Sequence, residues 1–187
     1  MPWADRLLGF GLGGAEVGNP PSKFAGFFRR CRERGFKVVA HAGEEGPAAY
    51  VREAVELLQV QRVDHGNASL QDPTLMELLA KAQIPLTVCP LSNLKLKVVP
   101  SMEAHPLRRL MDAGLCVTVN SDDPSFFGGY INDNFVACQE ALDLSREEIV
   151  SLARNSVIAS FMPAQARKAA LAAIETYDRE TQAWIAA

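Results

Sequence analysis

An α/β fold is expected here: parallel strands covered by helices, amounting to about five strand-then-helix units of a (β/α)8 barrel of the TIM-barrel type. Three observations point to it. Short apolar runs alternate with longer amphipathic stretches, glycines and prolines punctuate the joints, and three of the runs end on a polar residue, His41, His65 or Asp122. Barrel enzymes place their chemistry at that C-terminal end of the strands. The 187 residues contain no internal linker or low-complexity tract, so one domain over 1–187 is expected.

The first strand is expected over 7–12, followed by a helix over 22–34 that stops at Gly35. A second strand over 37–42 leads to a helix over 47–58, opened by Pro47 where a first turn tolerates the missing N–H. A third strand over 62–65 precedes a helix over 73–81, with Asp72 as N-cap and Pro73 in the first turn. The fourth strand, 85–89, precedes a helix over 105–113 ended by Gly114, and the fifth strand spans 115–120. Helices then follow over 132–142, over 145–160 with Ser145 and Glu148 as a capping box, and over 163–185. The strands are rich in β-branched and apolar residues, which predicts cover on both faces.

An open doubly wound sheet would show the same alternation. Its dinucleotide-binding form needs a Gly-x-Gly-x-x-Gly turn, and Gly11-Leu12-Gly13-Gly14 lacks that spacing. The placement of His41, His65 and Asp122 at strand ends favours the barrel.

A formal charge of −3 gives no electrostatic reason to expect nucleic acid or an acidic membrane surface. Cys31, Cys89, Cys116 and Cys138 are scattered without a Cys-x-x-Cys pair, which predicts reduced thiols. No apolar run is long enough to span a bilayer, and residues 1–6 lack the layout of a secretory signal, so a cytoplasmic protein is expected.

In His41-Ala42-Gly43-Glu44 an imidazole ends an apolar run and a carboxylate follows three residues later. That pairing suits a metal ligand beside a proton carrier; the structural alternative is a core histidine and a helix N-terminal glutamate. Val63-Asp64-His65-Gly66 repeats the design, and if the two strands are neighbours their tips lie roughly 5 Å apart. The remaining histidine, His105, precedes Pro106 and suggests a surface or capping role. Asn120-Ser121-Asp122-Asp123-Pro124 ends the last strand with two carboxylates, one able to bind metal and the other a substrate N–H, or else forming only a turn.

Taken with Thr87-Val88-Cys89-Pro90-Leu91-Ser92-Asn93, these motifs resemble, in order and spacing, the signature of the adenosine/adenine deaminase family over residues 7–161. The resemblance implies a (β/α)8 barrel with one Zn2+ at its C-terminal mouth. His41 and Asp122 resemble zinc ligands, and Glu44 the acid that protonates the purine ring. His65 resembles the histidine that orients and helps deprotonate the attacking water, Asp123 a carboxylate contacting water or the purine, and Gly14 the glycine whose N–H faces the base. Gly18-Asn19-Pro20-Pro21-Ser22-Lys23-Phe24 and the run from Pro124 to Asn134 are similar to the adenine deaminase branch, which acts on the free base in purine salvage. Deamination of adenine to hypoxanthine is therefore the expected reaction, with adenosine as the runner-up substrate.

The family's His-x-His pair does not occur in this sequence, nor do its first three strand-and-helix units. The chain therefore reads as the C-terminal part of a deaminase, expected to show little or no turnover alone and to have two open sheet edges. Those edges invite self-association or pairing with an N-terminal complement. A reading from another class is a noncatalytic purine-binding module.

Overall fold

The computed structural model describes residues 4–185; residues 1–3, the start of the stretch read above for a targeting signal, lie outside them. Five strands, β1 (Gly9–Leu12), β2 (Lys37–Ala42), β3 (Arg62–His65), β4 (Leu86–Val88) and β5 (Val117–Val119), form one parallel sheet in that spatial order. Each crossover therefore joins immediate neighbours. This monotonic order is an arc of a barrel, whereas a doubly wound sheet reverses its order at a switch point.

The helices are α1 (Ala25–Glu33), α2 (Ala48–Glu56), α3 (Pro73–Ala82), α4 (Pro90–Lys95), α5 (Leu107–Asp112), α6 (Pro124–Phe127), α7 (Ile131–Leu142), α8 (Arg146–Ile158) and α9 (Ala164–Ile185). The expected elements all form, with ends shifted by a few residues. Two short helices were not anticipated, α4 and α6, and each starts on a proline that directly follows a strand-end motif. The stretch expected to open the first helix is instead a 3₁₀ turn over Pro21–Phe24. Among the described residues no helix is long and apolar enough to cross a membrane.

The expectation of cover on both faces needs correction. Val38, Ala40, Val63, Leu86, Val88, Val117 and Val119 pack with Val51, Leu75, Leu79, Leu107 and Leu110 of the helices into the buried core. The alternate residues Arg62, Asp64, Thr87, Cys89, Thr118 and Asn120 instead line a cavity of about 580 Å³ on the opposite face. That face is polar because it forms the floor of the site. Asp64 Oδ1 accepts from Thr87 Oγ1 at 2.7 Å, and Asn120 Nδ2 donates to Thr118 Oγ1 at 2.7 Å.

Asn155 of α8 donates its Nδ2 to the Val117 carbonyl at 2.9 Å, so part of the β5 edge has a partner inside the chain. All four cysteines are free, and all four are buried.

Asp72 caps α3 as expected, accepting from the Thr74 and Leu75 N–H groups at 3.1 Å, and Arg52 lies 2.6 Å from its other oxygen. The Arg52 hydrogen bond, followed by that of the Leu75 N–H, holds the Asp72 carboxyl down at about 2. A depressed carboxylate contributes stability above its unfolded value near 4 and loses it as pH falls through the folded value. The melting temperature of Asp72→Ala is therefore expected below that of the parent at pH 6, with the gap closing between pH 4 and pH 2; a pH-independent gap would contradict this.

Candidate active site

The ends of β2, β3 and β5 converge on one mouth. In the β2–β3 register His41 lies opposite Asp64, and Ala42 opposite His65. Regular alternation would therefore send His65 to the helix side with Ala42. The chain avoids this by placing His65 in the left-handed region, at φ 67°. Its ring then turns into the mouth, 4.9 Å from the His41 ring and edge-on to it. Asp122, at the β5 end, is also left-handed, at φ 55°. Such a backbone costs on the order of 1 kcal/mol or more for a non-glycine residue, and both instances here turn a strand-end side chain out of regular alternation.

Glu44 lies in the turn between β2 and α2, not in the first turn of α2, so the helix-terminal alternative does not apply. Its Oε1 is 3.3 Å from His65 Nδ1 and accepts from Asn93 Nδ2 at 2.9 Å. Burial, then the nearby charges of Asp122, Glu45 and Glu16, pushes the Glu44 carboxyl up to about 7. Burial, then the neighbouring His41, lowers the His65 pKa and favours the neutral ring.

The turn carrying Glu44 is fixed by a residue to which sequence reasoning assigns no role. Glu16 is buried, and its carboxylate accepts from the backbone N–H of Gly43, of Glu44 at 3.0 Å and of Glu45 at 2.9 Å. Gly43 allows the turn at φ 74°, where an added Cβ would come within 2.5 Å of Val51. The only local signal for Glu16 was a lone acid just past Gly13-Gly14, and its partners lie 27 to 29 residues away.

Asp122 Oδ2 accepts from Ser92 Oγ at 2.7 Å, which helps to orient the carboxylate, and Asp122 lines the cavity. Two sets of three side chains bring one ligand-capable atom each within 4.8 Å of one another: His41, Glu44 and His65, and His65, Cys89 and Asp122. His65 belongs to both. It is 2% exposed, and its Nδ1 has no hydrogen-bond partner among the described residues, because Glu44 is near but poorly aligned. A buried, unpartnered ring nitrogen among imidazoles and carboxylates fits a site able to hold a metal ion. Cys89 contributes no thiolate of its own, since burial raises its pKa, as do the nearby Asp122 and Glu44 charges.

The remaining expected site residues are placed less centrally. Gly14, at φ 110°, lines an adjoining cavity of about 250 Å³ together with Glu16 and His41, so His41 belongs to both cavities. Asp123 is exposed at the N-terminus of α6, makes no capping bond there and lines neither cavity. His105 corrects the expectation of a surface position. It is 2% exposed, though its Nδ1 does accept from the Leu107 N–H at the start of α5, which is a capping role.

Comparison with known proteins agrees with this geometry. The adenosine deaminase family model matches residues 2–177. A relative from Rhodopseudomonas palustris named adenine deaminase is 60% identical over 177 residues, 95% of this chain and 52% of its own length. The crystal structure of adenine deaminase from Arthrobacter aurescens superimposes with a TM-score of 0.90 at 45% identity, covering 92% of this chain and 53% of that one. An amidohydrolase from Burkhoderia ambifaria, solved with bound zinc, has the same TM-score at 28% identity, covering 98% and 51%. The chain thus spans about half the length of the relatives it matches.

Proposed function

The chain belongs to the adenosine deaminase family, and we propose that it carries the proton-handling part of a zinc-dependent adenine deaminase that converts adenine and water to hypoxanthine and ammonia. One observation carries this reading: His41, Glu44, His65 and Asp122, drawn from three separate strand-end motifs, meet in two overlapping groups at the C-terminal end of a parallel sheet.

His41 and Asp122 would hold the zinc. When bound, the ion acts as a Lewis acid that makes water nucleophilic at neutral pH. His65, whose burial favours the neutral ring, has a ring nitrogen without a hydrogen-bond partner among the described residues that would orient the attacking water and accept a proton from it. Glu44 holds a proton near neutral pH and passes it to the purine ring nitrogen as the amino-bearing carbon is attacked. Ser92 keeps Asp122 oriented through its 2.7 Å hydrogen bond. Gly14, which lines the cavity that shares His41, would contact the substrate, Asp123 would do so only from the rim beside Asp122, and the reaction would belong to purine salvage in the cytoplasm.

The relatives are about twice as long as the matched region, and β1 and β5 are the ends of an unclosed sheet. On this reading the remaining barrel units pair along those edges, and this chain alone gives little or no turnover. The assay therefore uses a hybrid, in which this chain is joined to the part of the Rhodopseudomonas palustris relative that it does not match. Turnover of adenine by the hybrid is expected to fall to background on chelation and to return with zinc. Adenine binding without turnover, even with zinc added, would instead favour a noncatalytic purine-binding module.

A further inference from the structure

Behind Glu44 lies a chain of buried polar groups that runs away from the cavity and ends on a histidine outside the reacting set. Asn93, fully buried in α4, donates its Nδ2 to Glu44 Oε1 at 2.9 Å. Its Oδ1 accepts from Asn67 Nδ2 at 2.7 Å and faces His105 Nε2 at 3.2 Å. His105 Nδ1 accepts from the Leu107 backbone N–H at 3.1 Å, so that nitrogen carries no proton and the proton of the neutral ring sits on Nε2. Burial pushes the His105 pKa down to about 4, which keeps the ring neutral through the physiological range.

We infer that His105 is a positioning residue for Glu44: with its proton fixed on Nε2 by the α5 N-terminus, it locks the Asn93 amide so that the amide NH2 grips Glu44 Oε1. The logic is one of exclusion. A carboxamide has one oxygen and one NH2, and two donors converging on Oδ1 forbid the flipped orientation. Oε1 of Glu44 is thereby committed to Asn93, while Oε2 accepts no hydrogen bond among the described residues and remains the oxygen able to carry the transferable proton. The positioning of Glu44 rests on the proposed role of that residue, whereas the relay itself does not.

Nuclear magnetic resonance on the chain as it stands tests the relay separately from turnover. Between pH 6 and pH 8, His105 is expected as the Nε2–H tautomer, and the Asn93 side-chain amide resonances are expected to shift on Glu44→Gln. In His105→Leu that response is expected to be lost, and in His105→Gln, which keeps a donor toward Asn93 Oδ1, to return. An Nδ1–H tautomer, or an Asn93 amide that senses Glu44→Gln equally in His105→Leu, would overturn the inference. If His105→Leu does not fold, the tautomer and the His105→Gln spectra decide. Loss of the relay would leave the deaminase reading standing, and an inactive zinc-loaded hybrid with the relay intact would sink that reading alone.

Discussion

Replacing Glu44 with Gln is expected to lower adenine turnover by the zinc-loaded hybrid by about 10²- to 10⁴-fold, the usual range for removing a general acid. The amide keeps the shape of the side chain, and its Oε1 can still accept from Asn93, so the turn should be undisturbed. What disappears is the transferable proton. The environment suits the carboxyl to that proposed role: burial and the charges of Asp122, Glu45 and Glu16 raise Glu44 to about 7, where it can both hold a proton and give it up. Zinc content, from metal analysis of the same sample, is expected to match that of the parent, and KM to change far less than kcat. A kcat within a few-fold of the parent would remove Glu44 from the reaction.

Glu16→Ala is expected to cost about 3–5 kcal/mol of stability, because three backbone N–H groups in a partly buried turn lose a charged acceptor at once. For a chain of this size the melting temperature should fall by roughly 6–20 °C. Glu16→Gln keeps one acceptor oxygen and is expected to fall between the two, which separates lost hydrogen bonds from lost charge. The same turn carries Glu44, so Glu16→Ala should also loosen the acid from Asn93. Thermal unfolding of the three proteins followed by circular dichroism decides the matter, and a change below about 1 kcal/mol in Glu16→Ala would show that water replaces the carboxylate.

The fold was legible because its signals are local. The strand runs, the Asp72 cap and the Ser145 and Glu148 capping box each depend on neighbours a few residues away, and each appears in the structure. His41, Glu44, His65 and Asp122 were legible as a set because strand-end chemistry has a sequence form, a polar residue closing an apolar run. The manner in which His65 reaches the mouth was not, because a left-handed histidine leaves no mark in the sequence. The polar face of the sheet was written in the period-two patterns Arg62-Val63-Asp64 and Leu86-Thr87-Val88, but strands of three or four residues are too short for that alternation to outweigh their apolar content. The contacts of Glu16 with the 43–45 turn, of Asn93 with Glu44 and of His105 with Asn93 were missed for one shared reason, although Asn93 stood in the 87–93 motif and a capping role was expected of His105. Their partners lie 12 to 49 residues distant, and no spacing rule connects a buried polar residue to a partner brought in by tertiary structure.

The assignment of the substrate is tested by offering adenine and adenosine in parallel to the zinc-loaded hybrid and comparing kcat/KM. A clear preference for adenine, with hypoxanthine and ammonia released in equal amounts, is the expected result. Turnover of adenosine equal to or above that of adenine would contradict it.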